Sequence, residues 1–290
     1  MRFRLSRQGK TPLLQRAGIL LVGLGLLLLG GITGLLIALP TDALTNRLIQ
    51  EIETRTQTEI DISGGLQLAL PLTLRGAETM VQPLNLAQFP PVRIDHFQIR
   101  PLWSALLTLN PGVSADVRLM NGKVNAAYRA DGSLNLSADD LLLDLPIEQG
   151  FSLQLLGRLL QGRLETVVPL GRETASRLTL TLDQVRLLGL TGQENGLRLG
   201  TIVLELNGTG NSFRVVELRA REGDFTLTGT GQILLGDSPA ASRLNLRLTI
   251  RPEAGADPTL TDLLRMTARE SSAGAYQLRL GGSLARPVLN

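Results

Sequence analysis

From Ala17 to Leu39 the chain runs for 23 residues without a charged side chain. At about 1.5 Å rise per residue, a helix of that length crosses a hydrocarbon layer of roughly 30 Å with a slight tilt. The stretch predicts a membrane span. Ahead of it, residues 1–16 carry Arg2, Arg4, Arg7, Lys10 and Arg16 and no acidic residue. The positive-inside rule assigns that basic tail to the cytoplasm and residues 40–290 to the far side. A cleaved signal peptide also begins basic and turns apolar, but its apolar core runs to about 7–15 residues and ends at a small-x-small site. Ile37-Ala38-Leu39-Pro40 has no Ala-x-Ala, which favours an uncleaved anchor. Gly30 and Gly34 carry the spacing that lets two membrane helices approach closely, although six glycines in the span make that spacing weak evidence for a dimer.

Of 29 basic residues five lie in the tail, so the exported part holds 24 against 26 acidic ones, a net charge of −2. Nucleic acid is therefore not an expected partner. Cysteine is absent, which excludes disulfides, thiolate metal sites and cysteine nucleophiles, and suits an oxidising compartment such as a bacterial periplasm. Lys10 and Lys123 stand against 27 arginines, a compositional bias rather than a chemical signal.

After the span, Leu44, Leu48 and Ile52 recur every four residues from Thr41 to Thr56, predicting an amphipathic helix capped by Thr41 or Asp42. The period then changes to two. Leu66 to Leu74 alternates as a strand, with Pro71 suited to an edge. Ile94 to Ile99 is a strand broken by Pro101, and Leu102 to Leu109 gives one or two helical turns. Val113 to Met120 and Lys123 to Arg129 flank Asn121-Gly122, with a second turn at Asp131-Gly132, both hairpin chemistry. Between Leu141 and Leu170 the pattern blurs, and only Arg158 to Val168 reads as a strand. Leu178 to Asp183, Leu244 to Arg251 and Tyr276 to Leu280 alternate cleanly, Phe213 to Arg221 and Asp224 to Leu235 form a hairpin around Gly223, and Thr259 to Glu270 is a second helix. In Leu197 to Asn207 the apolar set changes parity at Gly200, and in Phe213 to Arg221 at Val215-Val216. A one-residue change of phase turns the side chains over, so β-bulges are expected at both. The fold class is mainly β: a single N-terminal transmembrane helix, then a large curved antiparallel sheet, open like a taco or half-barrel, with two or three short helices. The domains are the tail (1–16), the anchor (17–39) and one β-rich periplasmic domain (40–290).

Chemical sites are sparse. His96 is the one histidine, sits in a strand, and has no second His or Cys with which to hold zinc. Asp139-Asp140 reads as a solvated turn after a hairpin. Gly208-Thr-Gly210 and Gly229-Thr-Gly231 resemble phosphate-loop fragments, but no helix or Gly-Lys-Ser/Thr follows, so both read as turns or bulges. No serine lies in a Gly-x-Ser-x-Gly elbow. No catalytic, cofactor-binding or metal residue is assigned, no cofactor is expected, and the expectation is a protein that is not an enzyme and acts through sheet edges and apolar faces.

The basic tail and single span, the Leu39-Pro40 turn, the early helix, Ile99-Arg100-Pro101-Leu102-Trp103-Ser104-Ala105-Leu106-Leu107, and the ending Gly274-Ala275-Tyr276-Gln277-Leu278 with Gly281-Gly282-Ser283-Leu284-Ala285-Arg286-Pro287 together resemble the type II secretion system protein N (GspN) family over essentially the whole chain. The resemblance implies an accessory inner-membrane component of the machine that exports folded proteins, non-catalytic, with other secretion components and the inner membrane as partners. More distantly the layout is similar to the AsmA-like and bridge-like lipid-transfer proteins, which implies an apolar trough that binds phospholipid or another hydrophobe. The chain is short for a complete bridge across a periplasm.

Overall fold

The computed structural model describes residues 58–289 apart from residues 64, 70–71, 84–90, 108, 149–151, 190–195, 237, 239, 255, 257 and 272–273. The tail, the predicted span and the Thr41 to Thr56 helix lie outside the described residues; among those described, no helix is long and apolar enough to cross a membrane. The described part is one open antiparallel sheet of 16 strands. In chain order these are β1 (Thr58–Ile62), β2 (Leu66–Ala69), β3 (Thr73–Pro83), β4 (Val92–Pro101), β5 (Gly112–Leu119), β6 (Gly122–Arg129), β7 (Ser133–Glu148), β8 (Ser152–Val167), β9 (Ala175–Leu188), β10 (Leu197–Thr209), β11 (Ser212–Arg221), β12 (Phe225–Leu234), β13 (Arg243–Pro252), β14 (Arg269–Glu270), β15 (Tyr276–Gly282) and β16 (Pro287–Leu289). Helix α1 (Trp103–Leu107) joins β4 to β5, and α2 (Pro258–Thr267) lies between β13 and β14. From β3 to β13 each strand pairs with the next, a meander built of hairpins.

Both edges are finished with short pieces. β1 and β2 lie end to end on the outer flank of β3, pairing Ile62 with Thr79 and Leu66 with Gly76, and β14 and β16 share the outer flank of β15. Short edge strands carrying charges or proline, here Glu59, Asp61, Arg269, Glu270 and Pro287, deny an incoming chain a long template.

A diagonal row of irregularities crosses the sheet. Positive φ angles occur at Glu78 (48), Asp140 (65), Gln184 (50), Gly200 (72) and Glu222 (65). Register shifts fall between Ile94 and His96, between Leu159 and Gln161, and on both sides of Gly200. Each bulge turns the following side chains over and bends its strand. The apolar set in β7 changes from Leu134, Leu136 and Ala138 to Leu141, Leu143 and Leu145, and in β9 from Leu178, Leu180 and Leu182 to Val185 and Leu187, so the sheet keeps one apolar side across the crease. The bulges expected at Gly200 and at Val215-Val216 are present.

Several expectations are corrected. The alternating run from Leu66 to Leu74 is a hairpin rather than one strand: Ala69 faces Thr73 and Leu68 faces Leu74. The β5–β6 turn sits one residue early, on Met120 (φ 49) and Asn121 (φ 62), with Leu119 facing Gly122. Gly122 is needed inside β6 because a Cβ there would stand 2.5 Å from the Asp140 carbonyl oxygen. Asp139-Asp140 is no turn but the middle of β7. Strand β8 begins at Ser152 rather than Arg158. Helix α2 stops at Thr267, and Arg269–Glu270 becomes the edge strand β14.

Beyond the two short helices, strands make substantial contact only with their ladder neighbours. The core is accordingly three buried patches along one face: Ala138, Leu141 and Leu159; Leu206, Phe213, Val215 and Leu246; and Leu197, Phe225, Ile250, Tyr276 and Leu278, where Leu264 of α2 packs; Leu248 joins the last two.

Candidate functional site

Register places the alternating leucines side by side. Following the pairs from β7 to β15, Leu136, Leu164, Leu178, Leu206, Val215, Gly231, Leu246 and Leu280 form one transverse row. At about 4.8 Å per strand the row is ~34 Å wide. In a two-layer protein such positions are covered by the opposing layer. Here Leu206, Val215 and Leu246 are buried by their neighbours, whereas Leu136, Leu164, Leu178 and Leu280 stay half-buried, because among the described residues only α2 lies on this face. The face is aliphatic almost throughout, and every strand from β7 to β13 and β15 contributes to it.

The opposite face is polar. A hollow of about 490 Å³ opens there between Asn135, Glu165, Arg177 and Asn207, and another of about 440 Å³ between Asp116, Asn125, Ser137 and Arg163. Both are wide open and lined by solvated side chains rather than by a converging set of reactive groups.

The singled-out residues do not come together. His96 is exposed on the polar face of β4, paired with Ala77 and Arg118. Asp140 sits on the β7 bulge, where Arg158 binds it through two contacts, Nε to Oδ1 and Nη2 to Oδ2, the second at 2.7 Å. That guanidinium holds the Asp140 carboxyl below its usual pKa. Gly208 lies within β10 and Gly210 (φ 60) in the β10–β11 turn, while Gly229 and Gly231 are both inside β12. Among the described residues no three His, Asp or Glu side chains are grouped as a metal ion requires.

Two polar clamps escaped sequence reasoning, both where the crease meets the β11–β12 turn. The Thr201 hydroxyl lies 3.0 Å from Asp183 Oδ1 and 3.1 Å from Glu222 Oε2. Asp224 accepts the Arg198 backbone N–H at 2.9 Å and its guanidinium at 2.7 Å. At the far end of the strands, Asp131 accepts the Ser133 N–H at 2.9 Å and the Asn110 side-chain amide at 2.9 Å, and these bonds lower its pKa. All three fix turns or bulges. Their partners are 18 or more residues apart in the first two clamps, beyond any local pattern.

Compared with known proteins, the chain matches no family model, no curated protein and no solved structure.

Proposed function

We propose that this chain is a non-catalytic accessory component of the type II protein secretion system, held in the bacterial inner membrane by residues 17–39, whose periplasmic sheet bends into a half-barrel and receives other secretion components on its apolar face. The observation that carries this reading is a leucine face about eight strands wide that is partly exposed and, among the described residues, carries no second layer beyond α2. Apolar surface of that extent is left open where something is to be bound. The bulge row supports the bent shape, because bulges aligned across neighbouring strands add their bends.

Face packing is favoured over edge pairing. Besides the short strands at both edges, β7 has a flank from Leu143 onward, where β6 has ended, that no strand among the described residues pairs. The alternation that sends the Leu142 N–H to the Met120 carbonyl also turns Pro146 toward this flank, where proline has no N–H to offer. The exposed Asp144 stands beside it, and a charge there discourages a further strand.

A second reading is an AsmA-like carrier of lipid or another hydrophobe. It is favoured by the apolar character of the face, whose hydroxyls at Thr166 and Ser176 are bonded to each other at 2.7 Å, so that acyl chains would leave few polar groups unpaired.

In-cell photo-crosslinking from Leu204, Leu248 and Leu280 separates the two. Secretion components captured at these positions are the expected result. Phospholipid without any protein moves the assignment to the carrier, and capture of neither overturns both.

A further inference from the structure

The polar face changes character toward the C-terminus. Strands β12, β13 and β15 contain no acidic residue. On their polar side Arg243, Arg247 and Arg251 of β13 stand four residues apart, about 13 Å in an extended strand. Arg279 of β15 lies directly opposite Arg247, and Arg269 of β14 opposite Gln277. All five are exposed, and among the described residues none has a carboxylate partner. Elsewhere the same sheet does supply partners: Arg100 has Asp116 at 3.2 Å and Arg219 has Glu217 at 3.2 Å.

Like charges facing each other across an antiparallel pair are destabilising. The Arg247–Arg279 pair is therefore a cost to the free domain that an external anion relieves. Between them Thr226, Thr228, Thr230, Gln232, Asn245, Thr249 and Gln277 add hydroxyl and amide donors, and the exposed apolar side chains Leu234, opposite Arg243, and Val288, opposite Gly281, stand at the margin of the surface. Because the arginines rise side by side from one sheet face over three strands, they match many anions spread over a plane better than one anion held at a point.

We propose that this face docks on the phosphate plane of an anionic phospholipid bilayer. The exported part has a net charge of −2, so general attraction to such a surface is absent and the docking is specific to this face. The inference is independent of what the apolar side binds, since the two surfaces lie on opposite faces of the sheet.

The test uses the full chain in neutral phosphatidylcholine nanodiscs, floated with vesicles of phosphatidylcholine alone or mixed evenly with phosphatidylglycerol. Binding to the mixed vesicles only, lost at high salt, is expected. Arg247→Gln with Arg279→Gln lowers the partition about thirty-fold, from the usual contribution of a basic residue near an anionic surface. The equally exposed pair Arg118→Gln with Arg163→Gln changes it little. Arg247→Lys with Arg279→Lys keeps it, and keeps the test decisive if the glutamine pair misfolds. Equal binding to both vesicle types, an unchanged partition in the glutamine pair, or an equal loss in the control pair overturns the proposal. So does binding of a polyglutamate peptide without binding to vesicles, which would assign the face to an acidic protein.

Discussion

Strands β12–β13 and strands β7–β8 achieve the same end by different means. The β12–β13 pair runs through ten matched positions without a shift, Leu227 against Ile250 and Gly231 against Leu246, and the leucines of β13 stay on one side by alternation alone. The β7–β8 pair is longer, and at Asp140 and Leu160 both strands turn over together: Asp139 faces Gln161, then Leu141 faces Leu159. A straight strand such as β13, without a positive φ along its length, needs only the right side chains at every second position, and in β12 Gly231 (φ 153) is the exception. A creased strand also needs backbone that can reach positive φ, and polar groups such as Arg158 and Asp224 to hold the bulged residues. The straight part of the sheet is therefore sensitive to what its side chains bury, and the creased part to what its backbone can adopt.

The sharpest way to break that distinction is Gly200→Ala. Gly200 has φ 72 and is flanked by register shifts on both sides. A Cβ there would fall on the Arg221 carbonyl oxygen and 2.6 Å from the Glu222 carbonyl carbon, so relief requires moving two backbones. Strain of this kind predicts a loss of about 3 kcal/mol, read as a lowered urea midpoint by circular dichroism. A loss no larger than that of an ordinary exposed substitution would show that the crease is not fixed by its backbone.

Where alternation is undisturbed the expected costs follow burial. Leu246 is 8% exposed, and Leu246→Ala should cost about 2–3 kcal/mol. Leu180, on the same face but half-buried, should cost about 1 kcal/mol on truncation, since less of it leaves water on folding. Equal losses from the two, measured in the same urea titration, would mean that a second layer covers Leu180 in solution.

The same distinction explains what could be read in advance. Leu244 to Arg251 and Leu178 to Asp183 announce themselves because alternation is undisturbed over several residues, and the parity change at Gly200 is visible because leucines continue on both sides of it. In β7 and β8 the turnover puts Leu141, Leu142 and Leu143 in succession and brings Leu159 next to Leu160, so a period of two disappears where the strands are longest. The Leu66–Leu74 hairpin hides for the opposite reason: Leu68 and Leu74 meet across a connection that preserves the alternation, and the run reads as one strand. The apolar face was legible as a property of each strand. Its eight-strand breadth was not, because which leucines become neighbours is decided by register between strands. The Arg247–Arg279 pair escaped notice likewise, since nothing local links two residues that far apart in sequence.

The smallest effect concerns the group that holds the β7 bulge. Arg158 keeps the Asp140 carboxyl ionised below its usual pKa. A carboxyl whose pKa falls on folding adds stability above its unfolded value, 3.8 in this case, and loses that contribution as the pH drops through the lower folded value. Asp140→Asn should therefore lower the urea midpoint slightly at neutral pH, and the gap between variant and parent should narrow below about pH 3.8. The effect is small because the two side chains are 49% and 51% exposed, where water screens the pair. A gap that persists unchanged into strong acid would mean that Asp140 serves the bulge through its shape and local backbone preference at φ 65 rather than through its charge, leaving the crease held by backbone alone.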